Sequence, residues 1–95
     1  MGVMLIVSIT AKPGRGVVLA ELLQPVPKDN EIGGCFGIDI FTNNAVNDEI
    51  LIIEHWDSID THKEFLSALH DSGGLDKMLE LSASVSRNYY AKVDD

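Results

Sequence analysis

The residues best suited to chemistry lie close together in one stretch, residues 50–70. This stretch contains every histidine of the chain and its single tryptophan, and the candidates are Glu54, His55, Trp56, His62 and His70. Imidazole and carboxylate groups are common general acids and bases. An indole ring can form one wall of a pocket for an aromatic ligand. We therefore expect any chemistry of this protein to involve residues 50–70.

His62 is the candidate catalytic residue. Apolar residues recur at helical spacing from Ile59 to Leu69, so they share one side of a helix. His62 falls near the middle of this apolar arc and should therefore face a sheet. One interpretation is a core histidine whose nitrogens bond to neighbouring groups. The other is an acid, base or hydrogen-bond donor in a cleft between sheet and helix. Phe65 lies on the same arc and would form part of an apolar wall.

Glu54 and Trp56 share one face of a predicted strand, and His55 lies on the other face. A glutamate in an aliphatic strand needs a counter-charge, which Lys12, Arg87 or Lys92 could supply. Alternatively, Glu54 is a general base with a raised pKa. Trp56 is either a core residue or a pocket wall. We take both Glu54 and Trp56 as candidate substrate-binding residues.

Two further candidates lie on the predicted helix. His70 is near the helix end, where the helix dipole favours its protonated form, and it is either a surface residue or a substrate contact. Phe65 is the remaining candidate substrate-binding residue.

The separation of His62 from His70 is about two helical turns, which is too far for one metal ion. We expect no metal and no cofactor, and Cys35 is interpreted as an inert thiol.

The order of the predicted elements is β-α-β-β-α-β, with a short helix before the last strand. The predicted ranges are strand 4–11, helix 15–24, strand 35–41, strand 49–56, helix 59–70, helix 75–81 and strand 85–93, with a polar loop at 28–31. This order is typical of the ferredoxin-like α+β arrangement, an antiparallel sheet with helices on one face. We interpret residues 1–95 as one domain.

The predicted strands are apolar on both faces. In the third strand Ile52 and Trp56 point one way, whereas Leu51 and Ile53 point the other way. An antiparallel sheet with one wet face should alternate apolar and polar residues, and these strands do not. Because both main helices are needed on one face, we expect a second copy of the chain to cover the other in a two-fold homodimer.

Charge and composition exclude several classes of partner. The net charge is −8, with 15 acidic against 7 basic residues, so nucleic acid and anionic membrane surfaces would be repelled. A single cysteine fits a reducing compartment. The sequence shows no leader and no apolar run long enough to span a membrane. We therefore expect a cytoplasmic protein with no membrane partner.

Three segments resemble the antibiotic-biosynthesis monooxygenase domain family of dimeric α+β barrels. They are Ala11-Lys12-Pro13-Gly14, Gly34-Cys35-Phe36-Gly37 and Glu54-His55-Trp56-Asp57-Ser58. The resemblance covers nearly the whole chain and implies a homodimer. Members of this family include cofactor-independent oxygenases of polyphenolic or anthrone-like substrates, quinol oxygenases, heme-degrading enzymes and isomerases of small phosphorylated carbonyl compounds.

The chain departs from the family pattern at two positions. Many members have histidine nine residues after the junction tryptophan, where this chain has Phe65. Heme-degrading members have tryptophan there and a heme-ligating histidine about ten residues later, where this chain has Leu75. These differences argue against heme degradation. His62 lies one turn earlier on the same helix face and could restore a polar group to the cleft.

Together, the residues and the resemblance predict a cofactor-independent monooxygenase of a small aromatic or quinol-like molecule. One alternative is a non-catalytic dimer of the same fold that binds a metabolite or a partner. Another is an isomerase of a small carbonyl compound, which would need cationic residues in the cleft, and only Arg87 and Lys12 are eligible. A space lined by His62 would favour a binding site, whereas a sealed core at His62 would argue against an enzyme.

Overall fold

A computed structural model describes residues 2–24 and 32–93. Its elements follow the predicted order: β1 (Val3–Ala11), α1 (Gly16–Leu22), β2 (Cys35–Thr42), β3 (Glu49–Trp56), α2 (Ile59–Asp71), α3 (Asp76–Leu81) and β4 (Ser82–Tyr90). The ferredoxin-like α+β fold is thereby confirmed. The predicted loop at residues 28–31 lies outside the described residues.

The four strands form one antiparallel sheet in the order β2-β3-β1-β4. Its register aligns Leu5 of β1 with Glu54 of β3 on one side and with Tyr89 of β4 on the other. Two residues further along β1, Val7 is paired with Arg87 of β4. Since alternate residues of a strand share a face, the register places Glu54, Tyr89 and Arg87 on the same side of the sheet.

The helices cover that side of the sheet, which we call the covered face. The largest fully buried side chains are on it or packed against it, and they are Leu5, Ile9, Leu19 and Trp56. Helix α3 adds Met78 and Leu81 to the same core. Burial of these aliphatic and aromatic groups is the main force that holds the helices on the sheet.

Helix α2 begins at the junction that the sequence indicates. The Ser58 hydroxyl oxygen accepts a hydrogen bond of 3.1 Å from the Thr61 backbone N–H, which caps the helix. The helix ends before Gly73, whose φ of 80° is favourable only for glycine. Between these two ends, the apolar face of α2 meets the sheet, and His62 is the buried residue on that face.

The other side of the sheet, which we call the open face, is not covered by the described helices. It presents aliphatic side chains that are only partly buried, including Met4, Ile6, Leu51 and Ile53. Phe36 and Phe41 are each 51% exposed, and Tyr90 is 48% exposed. No described helix has the length and apolar character needed to cross a membrane.

The last strand begins and ends three residues earlier than the prediction of 85–93. It directly follows α3, and the Ser82 hydroxyl donates a hydrogen bond of 2.6 Å to the Met78 carbonyl oxygen at the junction. Strand β4 lies at the sheet edge, and most of its residues are exposed. Its apolar pattern is therefore too weak to indicate where the strand starts.

Candidate functional site

A cavity of about 230 Å³ lies between the covered face and helices α2 and α3. Its walls are mostly apolar side chains, among them Val7, Ile52, Phe65, Leu66, Leu69 and Met78. Four side chains with polar or charged ends also line it: Glu54, His62, Lys77 and Arg87. An apolar hollow with a few converging polar groups is the usual form of a small-molecule site.

His62 is the buried polar residue of α2, with only 3% of its surface exposed. Its Nδ1 atom lies 2.6 Å from the Tyr89 hydroxyl oxygen, so the two groups share a short hydrogen bond. The tautomer of the imidazole decides which group donates. If Nδ1 donates to Tyr89, the Nε2 lone pair is left to accept a proton from another molecule.

Trp56 supports His62 from the sheet. The indole ring is fully buried, and its centroid lies 5.2 Å from the His62 ring in an edge-on arrangement. The Phe65 ring lies 5.4 Å from the same indole. The indole Nε1–H donates a hydrogen bond of 2.8 Å to a Glu54 carboxylate oxygen. Trp56 thus contacts the candidate base His62, the cavity-wall residue Phe65 and the partly buried carboxylate of Glu54.

The environment shifts the pKa values of three neighbouring groups. Burial lowers the pKa of His62, and the nearby Arg87 cation lowers it further, so the neutral imidazole is favoured. Burial raises the pKa of Glu54, although the Trp56 hydrogen bond and Arg87 act in the opposite direction. Burial also raises the pKa of Tyr89, with Arg87 opposing and Glu54 adding to the rise. A cluster of perturbed groups beside a cavity is typical of functional sites.

The structure brings together three of the predicted site residues at the cavity and places two elsewhere. Glu54, His62 and Phe65 line the cavity, whereas Trp56 packs behind His62 and Phe65. His70 is exposed at the end of α2 and lies outside the cavity, in an adjoining depression that also contains Lys63 and Arg87.

Two residues of β4, Tyr89 and Arg87, join the site, although the sequence did not place either of them among the candidate site residues. The Tyr89 hydroxyl shares a hydrogen bond with His62, which lies 27 residues earlier in the chain, and Arg87 lines the cavity. The sequence indicates that Tyr89 and Tyr90 point to opposite faces, so that one of them could line a pocket. It also offers Arg87 as a counter-charge for Glu54 or as a cation in the cleft. The missing information was the strand register, which pairs Leu5 with Tyr89.

Metal chemistry has no evident site in the part of the chain that is described. No group of three His, Cys, Asp or Glu side chains within residues 2–24 and 32–93 is arranged to hold a metal ion. Cys35 is buried at the start of β2 rather than in the cavity.

Comparison with known families identifies one match. The model of the antibiotic biosynthesis monooxygenase family matches residues 2–70, which is well over half of the chain. The protein belongs to this family. The matched region contains Glu54, Trp56 and His62, whereas Tyr89 and Arg87 of β4 lie beyond it. Comparison with curated proteins gives no match.

Solved structures of other family proteins share the fold. A proposed antibiotic biosynthesis monooxygenase from Chloroflexus aurantiacus J-10-fl is 25% identical, with a TM-score of 0.79 over 100% of this chain and 96% of that chain. Another from Bordetella bronchiseptica is 18% identical, with a TM-score of 0.76 over 97% of each chain.

The fold is also similar to a protein with a different family name. A NIPSNAP family protein from Agrobacterium tumefaciens str. C58 is 13% identical, with a TM-score of 0.75 over 98% of this chain and 87% of that chain. Since one fold serves several families, membership of the antibiotic biosynthesis monooxygenase family does not by itself define a reaction. The activity must be argued from the cavity.

Proposed function

We propose that this protein is a cofactor-independent monooxygenase that acts as a homodimer on a small aromatic or quinol-like molecule. The observation that supports the proposal most directly is the apolar cavity lined by His62. Its mostly apolar walls suit an aromatic ring, and four side chains with polar or charged ends line the same space. Family membership adds support for this class of reaction, since the matching family model is named for monooxygenases.

In the proposed reaction His62 is the base. Its lowered pKa keeps the imidazole neutral near pH 7, so that it can accept a proton from an acidic C–H or phenolic O–H of the substrate. Tyr89 accepts the Nδ1–H hydrogen bond in this arrangement and keeps Nε2 free. Trp56 is a positioning residue, because its ring contacts His62 without lining the cavity.

The oxidation then needs only the substrate and O₂. The substrate anion gives one electron to O₂, and the resulting substrate radical combines with superoxide to form a carbon–oxygen bond. Protonation gives a hydroperoxide, which loses water to leave a carbonyl group. For a methylene substrate the balance is R–CH₂–R′ + O₂ → R–CO–R′ + H₂O. The apolar walls keep bulk water from the anion and the radical, which would favour the reaction inside the cavity.

The non-catalytic alternative is favoured by one specific observation. His62 is almost completely buried, and its Nδ1 is already engaged with Tyr89. If the Tyr89 hydroxyl donates to Nδ1, the proton of the neutral imidazole is on Nε2, so neither ring nitrogen is free to act as a base. The cavity would then bind a small molecule without turnover.

Oxygen uptake distinguishes the two functions. Purified protein is supplied with a panel of quinols and anthrones, and O₂ consumption is followed together with product formation. For a general base we expect His62→Ala and His62→Gln to lower kcat by about 10²- to 10⁴-fold. Glu64→Gln, an exposed change on the same helix, should retain the wild-type rate. Binding without oxygen uptake across the panel, or full turnover by both His62 variants, would contradict the monooxygenase mechanism.

A further inference from the structure

Basic side chains are concentrated around the cavity although the whole protein is strongly acidic. The chain carries only seven Lys and Arg residues against 15 acidic ones. Lys77 and Arg87 line the cavity, and Arg87 and Lys63 line the depression beside it. Glu54 is the only carboxylate among the residues that line either space. The local charge is therefore opposite in sign to that of the protein as a whole.

Arg87 is placed to meet a ligand. It is exposed on β4, yet the register puts it on the covered face opposite Val7, and it lines both the cavity and the depression. Within residues 2–24 and 32–93 no carboxylate forms an ion pair with it. Lys77, by contrast, forms an exposed pair of 3.8 Å with Glu80. Arg87 acts on Glu54 through its charge, but no ion pair among the described residues occupies its guanidinium donors, which leaves them for another partner.

We propose that the ligand of this cavity is an aromatic carboxylate whose anionic group is bound by the Arg87 guanidinium. The aromatic part of this inference rests on the proposed function, whereas the carboxylate part rests on the charges alone. Arginine presents paired N–H donors that match both oxygens of a carboxylate. The ring would lie among Ile52, Phe65 and Leu66, and Lys63 would add positive potential beside Arg87.

A local cation would also explain how an acidic protein admits an anion. The net charge of −8 repels anionic molecules at a distance, and this repulsion lowers their rate of encounter. A patch containing Arg87, Lys63 and Lys77 offsets the repulsion at the entrance to the cavity. Because these contacts are exposed to solvent, salt should weaken them.

The test compares two ligands of nearly the same shape, the anionic 1-hydroxy-2-naphthoate and the neutral 1-hydroxy-2-naphthamide, in which an NH₂ group replaces one carboxylate oxygen. Trp56 is the single tryptophan, so its indole N–H gives one NMR signal from a group next to His62 and Phe65. Titration of each ligand, followed by the shift of that signal, gives both dissociation constants. We expect the carboxylate to bind roughly tenfold more tightly than the amide, as charge-assisted hydrogen bonds are the stronger kind.

Three variants identify the residue that causes the preference for the carboxylate over the amide. Arg87→Gln should reduce the ratio of the two affinities to about one while the amide affinity stays unchanged, which also shows that the variant is folded. Lys92→Gln removes a cation that lies beside the open face and should keep the preference. Raising NaCl from 50 to 500 mM should weaken only the carboxylate complex in the wild type.

Each other outcome overturns a defined statement. Equal affinities in the wild type, or a preference that survives in Arg87→Gln, would refute the carboxylate site at Arg87 and leave the proposed oxygenase in place. If only Lys63→Gln removed the preference, the anion would be bound by Lys63 and the assignment to Arg87 would be wrong. If neither ligand moved the indole signal at 1 mM, both this inference and the proposed aromatic ligand would fail.

Discussion

The two faces of the sheet are made from the same strands but have different environments. On the covered face Leu5, Ile52 and Trp56 have 0%, 7% and 0% of their surface exposed. On the open face their neighbours in sequence, such as Ile6 and Ile53, are only partly buried. The difference arises because the helices pack on one side only. Apolar character in a strand therefore shows that a face needs cover, but not what provides it.

The contrast has a functional side as well. A depression of about 530 Å³ lies on the open face among Met4, Phe36 and Tyr90, and it is larger than the cavity under α2. The polar cluster of Glu54, His62 and Arg87 lines the smaller space. The proposed chemistry therefore belongs to the covered face, although His55 and Lys92 line the larger depression, and the proposed contact with a second copy belongs to the open face.

The largest expected effect is on stability at the covered face. Trp56→Ala should lower the free energy of unfolding by about 3–5 kcal/mol, because it leaves a large cavity and removes the contacts with His62 and Phe65. Urea denaturation followed by far-UV circular dichroism measures the loss. Phe41→Ala on the open face is the matched control and should cost less than about 1 kcal/mol in dilute protein. Equal losses would show that the two faces do not differ in burial.

The second prediction concerns the association of open faces. Ile6 lies on the central strand β1 and is flanked by Ile53 and Asn88. Ile6→Glu puts a charge into the proposed dimer interface, so we expect the dimer dissociation constant to rise by about 100-fold or more. Sedimentation equilibrium measures this change, and Ala68→Lys on the exposed side of α2 should leave the dimer intact. A wild-type protein that is monomeric at 100 μM would contradict the homodimer.

The sequence predicts the elements of the covered face better than the contacts made across it. Strand β3 and the start of α2 lie where predicted, because dense aliphatic residues indicate the strand and the helical spacing from Ile59 indicates the helix. The inward direction of His62 follows from helical spacing and is also correct. These features depend on residues close together in the chain, which is why periodicity and capping rules capture them.

The contacts of β4 could not be predicted in the same way. The hydrogen bond between His62 and Tyr89 depends on the pairing of β4 with β1, and a shift of one residue would turn Tyr89 to the open face. The exposed serines of β4 carry little information about that register. The sequence offers Arg87 as a counter-charge or a cleft cation, but its position on the covered face depends on the same register. The candidate base could therefore be predicted from the sequence, whereas the contacts of β4 with it could not.

The third prediction tests the burial of His62 through pH. Its pKa is lowered in the folded state, so the unfolded state binds a proton first as the pH falls below about 6.5. The contribution of His62 to the free energy of unfolding is therefore fully present above pH 6.5. It decreases as the pH falls towards the pKa of His62 in the folded state. His62→Gln should remove this part of the pH dependence in urea denaturation between pH 7 and pH 5. An unchanged slope would show that another group causes it.

The smallest expected effect is at Glu54, where two contributions oppose each other. Glu54→Gln removes the cost of a buried carboxylate but weakens the hydrogen bond from the Trp56 indole, so the net change at pH 7 should be below about 1 kcal/mol. The direction in which this change in stability varies with pH is more informative than its size. Burial raises the folded pKa of Glu54 above 4.5, so the wild type loses stability as the pH rises through that folded pKa.

Glu54→Gln has no carboxyl group at this position, so it cannot lose stability in this way as the pH rises. The stability of Glu54→Gln relative to the wild type should therefore increase between pH 4.5 and pH 8, as measured by urea denaturation at intervals across this range. The change is opposite in direction to the effect of His62, although both groups line one cavity on the covered face. A constant difference across the range would mean that Trp56 and Arg87 fully offset the cost of burying the carboxylate, and Glu54 would then have no reason to be protonated at the site.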